Sequence, residues 1–213
     1  INNNLIKSAH DVSLGGIITA VAKMCIKGKR GINITPSEAD AYIYGFSIMN
    51  DFSSRKIQME EMKLNLGPAK GKDFATTIGP YIVTKDELSD SIIKTENGNH
   101  YDIELSCSIN NIKYSSDNLK NMHWTFSQII SQISKGTMLY PGDVIGSGTC
   151  GTGCFYEINS SKNISEHIWL NDGDKVNILT DKIGNLSNEI KIIYSIINCV
   201  ITITWVCRKH YIH

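Results

Sequence analysis

Asp51, Arg55 and Gln58 fall at i, i+4 and i+7, and Lys72, Phe74 and Thr76 follow at alternating positions downstream. On a helix the first three share one face, so a carboxylate, a guanidinium and an amide point the same way. On a strand Lys72, Phe74 and Thr76 share another. A carboxylate can hold a hard cation, two cationic groups can meet a carboxylate or an enolate, and hydroxyl and amide groups can orient what is bound. The set suits a small acidic oxo-compound. Spacing alone leaves a plainer account open: an exposed Asp51–Arg55 pair, worth about 0.3–0.5 kcal/mol, with a glycine-rich turn beyond it.

The elements that must position these residues can be read around them. Thr35, Pro36 and Glu38 mark a helix start, with Thr35 as N-cap, proline first in the helix and Glu38 closing a capping box. Gly45-Phe46-Ser47-Ile48-Met49-Asn50 alternates as a strand does and delivers Asp51 to a strand end, just before a second helix. Ile57 and Met62 are expected to turn from that helix toward the core. Gly67, Gly71 and Gly79, with Pro68 and Pro80, shape a loop whose backbone can approach a ligand and which carries Lys72 into an extended stretch. Farther on, residues 81–84 read as a buried strand, and residues 101–108 and 112–115 as strands around an Asn110-Asn111 hairpin tip. Met122, Phe126, Ile129, Ile130 and Ile133 predict a core-facing helix, with His123 and Trp124 as packing or solvated residues. Residues 139–145 read as a turn feeding a strand, 146–153 as a loop of small residues, and 169–176 and 183–188 as closing strands.

Lysine plus arginine equal aspartate plus glutamate at 21 each in 213 residues. No basic surplus argues for nucleic acid or a membrane surface, and a small-molecule ligand is the expectation. The length fits one domain with appendages. Cys25, Cys107, Cys150, Cys154, Cys199 and Cys207 contain no C-x-x-C pair and no secretory leader is read before them, so reduced thiols and a cytoplasmic location are expected. Cys150 and Cys154 lack the second pair that a zinc site would need. Residues 192–207 are apolar but fall short of the roughly twenty residues of a spanning helix, and Ser195, Asn198, Thr202 and Thr204 interrupt them, so a membrane anchor is not expected.

Several runs, taken in order, resemble one family. They are Ala41-Tyr42-Ile43-Tyr44-Gly45-Phe46-Ser47-Ile48-Met49-Asn50-Asp51, then Ser54, Arg55 and Gln58, then Gly71-Lys72-Asp73-Phe74-Ala75-Thr76-Thr77-Ile78-Gly79-Pro80, then Leu139-Tyr140-Pro141-Gly142-Asp143 through Thr149 and on to Cys154. Together they look like the C-terminal catalytic domain of the fumarylacetoacetate hydrolase family, over about residues 28–188. The resemblance implies an α+β, mainly β fold, a mixed β-sandwich roll that is N-terminally incomplete. It also implies a homodimer, and metal-dependent hydrolysis of a C–C bond in a β-dicarbonyl, acylpyruvate-like acid. By the same resemblance Asp51 is a ligand of Mg²⁺ or Mn²⁺, with Ca²⁺ an alternative. Lys72 is the catalytic residue, and Arg55, Gln58, Thr76 and Thr149 bind substrate. Family decarboxylases, isomerases and hydratases are alternatives, as is a module that binds without turnover.

The family also carries a Glu-x-Glu strand and an upstream histidine with an acidic partner, and neither lies before Thr35. The implied metal site and general base are therefore incomplete. Asp102-Ile103-Glu104 sets two carboxylates on one strand face and is a candidate replacement, in a stretch that the family uses as ordinary sheet. Leu5 through Ala22 resembles instead a loop and helix of phosphoribosylformylglycinamidine synthase, departing from it at Leu14, without that enzyme's nucleotide-binding machinery. The organisation expected is a segment of that type at 1–30, a fumarylacetoacetase-like domain at 31–190 and an unmatched apolar tail at 191–213. A fusion and an interrupted reading frame both account for it.

Overall fold

Residues 28, 30–65 and 67–191 are described by the computed structural model. Glu38 performs the capping read from sequence: its carboxylate accepts from the Thr35 N–H at 3.3 Å and the Thr35 hydroxyl at 2.8 Å. Pro36 opens helix α1 (Pro36–Ala39). Strand β1 (Gly45–Asp51) follows, its Phe46 and Ile48 buried. It pairs antiparallel with β2 (Thr76–Thr84), a bulge falling between Phe46 and Ile48, and Asp51 stands directly opposite Thr76. The connection between these strands folds into two short helices, α2 (Arg55–Glu61) and α3 (Lys70–Asp73).

A second antiparallel pair is β3 (Ile92–Thr95) with β4 (Gly98–Tyr101). The largest sheet is four-stranded, in the order β6 (Ile112–Asn118), β5 (Glu104–Ile109), β7 (Lys175–Thr180), β8 (Gly184–Glu189), with every pairing antiparallel. Asn110 and Asn111 turn β5 into β6 with φ of 50° and 68°, the paired left-handed conformation that a two-residue hairpin needs. Asn188 on β8 joins this sheet to β1 and β2. Its side-chain oxygen accepts from the Thr77 hydroxyl at 3.0 Å and the Asn50 amide at 3.2 Å.

The main core gathers Phe46, Leu88, Tyr101, Ile103, Ile130 and Leu139. The Phe46 ring lies 4.7 Å from Tyr101 and 5.0 Å from Phe126, centroid to centroid, at tilted and edge-on angles that aromatic quadrupoles favour. Phe126 opens helix α4 (Phe126–Ile133), which packs against α1. The Thr125 hydroxyl caps α4 by accepting from the Gln128 N–H at 3.2 Å. A smaller cluster of Phe52, Ala75, Val176 and Ile190 underlies the end of β1. The Tyr101 hydroxyl is buried without a hydrogen-bond partner among the described residues, and burial, followed by the Asp40 carboxylate, pushes its phenol well above the ordinary value.

Several expectations are corrected. Helix α4 starts at Phe126 rather than Met122, because Thr125 takes the N-cap and Met122 closes a preceding 3-10 turn by donating its N–H to the Leu119 carbonyl. Met62 is 46% exposed and does not enter the core. Tyr81 is 53% exposed on β2. Residues 143–150 form an irregular segment with no strand. Asp51 ends β1 as the alternation predicts, so it does not share a helix face with Arg55 and Gln58, and Lys72 lies on α3 rather than on a strand. Residues 1–27 and 192–213, with the synthase-like stretch and the apolar tail, lie outside the described residues. No helix among the described residues is long and apolar enough to cross a membrane.

Candidate functional site

Antiparallel register brings the charged cluster together. Thr76 stands across from Asp51, and its hydroxyl donates to Asp51 Oδ1 at 3.3 Å. From α3, Lys72 Nζ donates to Ser53 Oγ at 2.6 Å and to Asp51 Oδ2 at 3.4 Å. The Ser53 hydroxyl donates in turn to the Asp51 carbonyl at 3.1 Å. The Lys72 and Asp51 side chains are 18% and 29% exposed, so the pair is partly withdrawn from water while still reachable. Partial withdrawal strengthens a charge–charge contact relative to one in open solvent.

The backbone beneath Lys72 is held at several points. Glu61 Oε2 accepts from the N–H groups of Ala69 and Gly71, both at 3.0 Å, and Oε1 from that of Lys70 at 2.7 Å. The Gly71 N–H first, then those of Lys70 and Ala69, holds the Glu61 carboxyl below the ordinary glutamate value. Ser54 N–H donates to the Gly71 carbonyl at 2.8 Å. Gly71 is buried against α2, where an added Cβ would stand 2.7 Å from the Gln58 backbone nitrogen. The glycine pattern predicts a backbone open to a ligand here, whereas in the structure Gly71 serves helix contact.

Asp51, Ser53, Arg55 and Lys72 line a cavity of about 550 Å³, within the range of ligand sites. Its walls are otherwise mainly apolar: Cys107, Tyr114, Phe155, Leu170 and Val176 stand among them. Asp143 is its other charged lining residue among those described, and it accepts from the Tyr140 N–H at 2.8 Å. Arg55 donates to Gln58 Oε1 at 2.6 Å, and its guanidinium lies 5.5 Å from the centre of the Tyr156 ring, over its face. Gln58 is thus engaged behind Arg55, as Thr76 is behind Asp51, and neither lines the cavity. Thr149 does, from the facing loop.

That loop is tethered through Asp117 at the end of β6. Asp117 Oδ2 accepts from the Gly151 N–H at 3.0 Å, and Oδ1 from the Asn121 amide and the Asn118 N–H. The Asn121 amide, ahead of the Asn118 and Gly151 N–H groups, keeps this carboxyl below the ordinary aspartate value. Helix α5 (Phe155–Ser160) follows the loop, and its Phe155 ring meets Tyr114 edge-on at 5.3 Å. Burial pushes the Cys107 and Cys150 thiols up, as expected of neutral lining groups rather than nucleophiles.

Asp102 and Glu104 do not line the cavity, and Asp102 is engaged by Lys120 and Asn118 instead. No group of three or more His, Cys, Asp or Glu side chains suited to a metal ion is found among the described residues. Ser53, Glu61, Asp117 and Tyr156 were missed from sequence. Glu61 could have been found from its place one turn beyond Gln58 on α2. Asp117 and Tyr156 depend on tertiary contacts with no local signal.

Residues 24–191 match the family described as fumarylacetoacetate (FAA) hydrolase C-terminal. An uncharacterised protein of Staphylococcus saprophyticus is 32% identical over 164 residues, covering 76% of this chain and 48% of that protein. The chain therefore spans about half the length of the curated relatives it matches. Among solved structures, the fumarylacetoacetate hydrolase of psychrophilic Exiguobacterium antarcticum superposes with a TM-score of 0.61 at 27% identity, over 78% of this chain and 53% of that one. A fumarylpyruvate hydrolase of Pseudomonas aeruginosa, solved with Mn²⁺ and pyruvate, shares the fold with a TM-score of 0.60 at 20% identity, over 78% and 62% of the two chains. The ordered motifs, the α+β fold and the match over residues 24–191 lead to one conclusion: the chain belongs to the fumarylacetoacetate hydrolase family.

Proposed function

We propose that the cavity binds a small β-dicarbonyl acid of the acylpyruvate type and that the reaction served is hydrolysis of its C–C bond. The observation that carries this reading is the Lys72 ammonium, held by Ser53 and Asp51 in the lining of an otherwise mainly apolar cavity. Lys72 and Arg55 supply the positive charge that an oxo-acid carboxylate needs. When the C–C bond breaks, charge collects on an enolate oxygen, and a fixed ammonium in a partly dry site stabilises that charge more than it stabilises the uncleaved acid. Apolar walls accept the acyl group, and Thr149 orients it from the facing loop.

Family relatives suggest a divalent cation, as in the neighbour solved with Mn²⁺. The fit here is incomplete. Mg²⁺ or Mn²⁺ takes an octahedral set of oxygens, and the cluster supplies one carboxylate, Asp51, already in contact with Lys72 and Thr76. We therefore assign Asp51 as the one carboxylate this cluster offers such a cation. A second reading, binding of the same acid without turnover, draws on the engagement of both cavity carboxylates: Asp51 as above and Asp143 by the Tyr140 N–H.

Calorimetric titration of Mn²⁺, with and without oxalate as an enolate mimic, tests both readings. Oxalate-coupled binding that Asp51→Ala abolishes is the expected result, and binding unchanged in that variant removes Asp51 from the metal. Turnover of acylpyruvates supports hydrolysis, while tight oxalate binding with no turnover supports the second reading. Under the first, Lys72→Met lowers kcat by at least about tenfold and weakens binding of oxalate, the enolate mimic, with it; a raised KM with kcat unchanged would mean ground-state binding only.

A further inference from the structure

Helix α3 is a single turn and has little stability of its own, because a helix that short cannot recover the cost of nucleation. Apolar burial does little to hold the segment leading into it: Met62 and Leu64 are 46% and 71% exposed, and the chain then passes through left-handed Asn65 and Gly67. Its position comes from Glu61, whose two oxygens take the N–H groups of Ala69, Lys70 and Gly71. These are donors that a helix start leaves without internal partners, and a carboxylate satisfies them with charge-assisted bonds. Lys72 is the next residue, and its reach to Ser53 and Asp51 depends on where that turn is set.

We propose that Glu61 is a positioning residue, acting through the backbone of residues 69–71 to hold the Lys72 ammonium in the site. This rests on the role proposed above for Lys72, but it is tested without metal or substrate. Glutamine at 61 keeps one acceptor oxygen and turns an NH₂ group toward N–H donors, so the three bonds cannot all survive. Glu60, exposed one residue earlier, provides a matched control with the same change of charge.

Labelling of lysines in the full chain with an amine-reactive reagent, resolved residue by residue by mass spectrometry, reads the position of Lys72 directly. In Glu61→Gln, Lys72 is expected to react about tenfold faster, the effect of losing roughly one charge-assisted hydrogen bond. Lys120, paired with Asp102 and without contact to Glu61, should react as before, and Glu60→Gln should leave Lys72 unchanged. An unchanged Lys72 rate in Glu61→Gln, or equal acceleration at Lys120, overturns the proposal. Should that variant not fold, amide exchange on the unaltered protein decides: the N–H groups of Ala69, Lys70 and Gly71 must exchange at least about tenfold slower than free peptide, and free exchange overturns the assignment. Faster Lys72 labelling in a protein that binds neither Mn²⁺ nor oxalate would remove the proposed function and leave the positioning role standing.

Discussion

Two segments of the cavity lining differ in how they are held. One is built from residues 51–76, where strand register, the Glu61 brace and the contact of Gly71 with Gln58 set a carboxylate, an ammonium and two hydroxyls within hydrogen-bonding reach of one another. The other is the segment from Tyr140 to Cys154, irregular until α5 begins, exposed through residues 146–149 and tethered at Gly151 by Asp117. Under the proposed function, the charged groups that would meet a developing charge are held by redundant short-range bonds, whereas those that would meet the rest of the ligand sit on a lighter frame.

Glycine substitutions should expose this contrast most strongly. Gly71→Ala forces a Cβ to 2.7 Å from the Gln58 backbone, which cannot yield as a flexible side chain would. A loss of about 1–3 kcal/mol in denaturant unfolding is expected, with the Lys72 contacts displaced. Gly148→Ala meets nothing within 4 Å and carries only the strain of its φ of 90°, so about 1 kcal/mol is expected. Equal costs at the two positions would mean that the walls are equally constrained.

Asp117→Ala should have a smaller effect. Its bonds lie in a solvent-screened setting, so global stability should fall by no more than about 1 kcal/mol. Amide exchange at Gly151 should quicken while that at Gly71 stays slow. If both quicken together, the walls are one cooperative unit.

Acid gives the mildest test. The Glu61 and Asp117 carboxyls both lie below their ordinary values in the folded chain. A depressed carboxyl contributes stability that is present above its unfolded value, near about 4, and is lost as pH falls through the lower folded value. Exchange at residues 69–71 and 151, corrected for intrinsic rates, should therefore stay protected at pH 6 and rise only below about pH 4. Loss of protection already at pH 6 would place control in other groups.

The wall of residues 51–76 was largely legible in the sequence. Alternation in Gly45-Phe46-Ser47-Ile48-Met49-Asn50 placed Asp51 at a strand end, and the run from Gly71 to Pro80 set Lys72 and Thr76 beside it. The local form of Lys72 was misread, since periodicity cannot show that a four-residue stretch will be pinned into a helical turn by a glutamate nine residues earlier. The Asn110-Asn111 tip was readable because turn chemistry is local. Asp117 and Tyr156 were not, because one acts on a loop 34 residues away and the other through a guanidinium from a different helix. His123 and Trp124 were read as packing or solvated residues, and both are exposed.

Glu61, Gly71 and the Asp51–Thr76 register all lie within one continuous stretch of chain. Inheritance of the charged end is therefore modular. Mutations accumulating in the Tyr140–Cys154 segment or α5 can reshape what the cavity admits while the Lys72 geometry passes unchanged between descendants. Under the proposed function, a lineage built this way can diversify its substrates by drift on one wall without first losing its chemistry on the other.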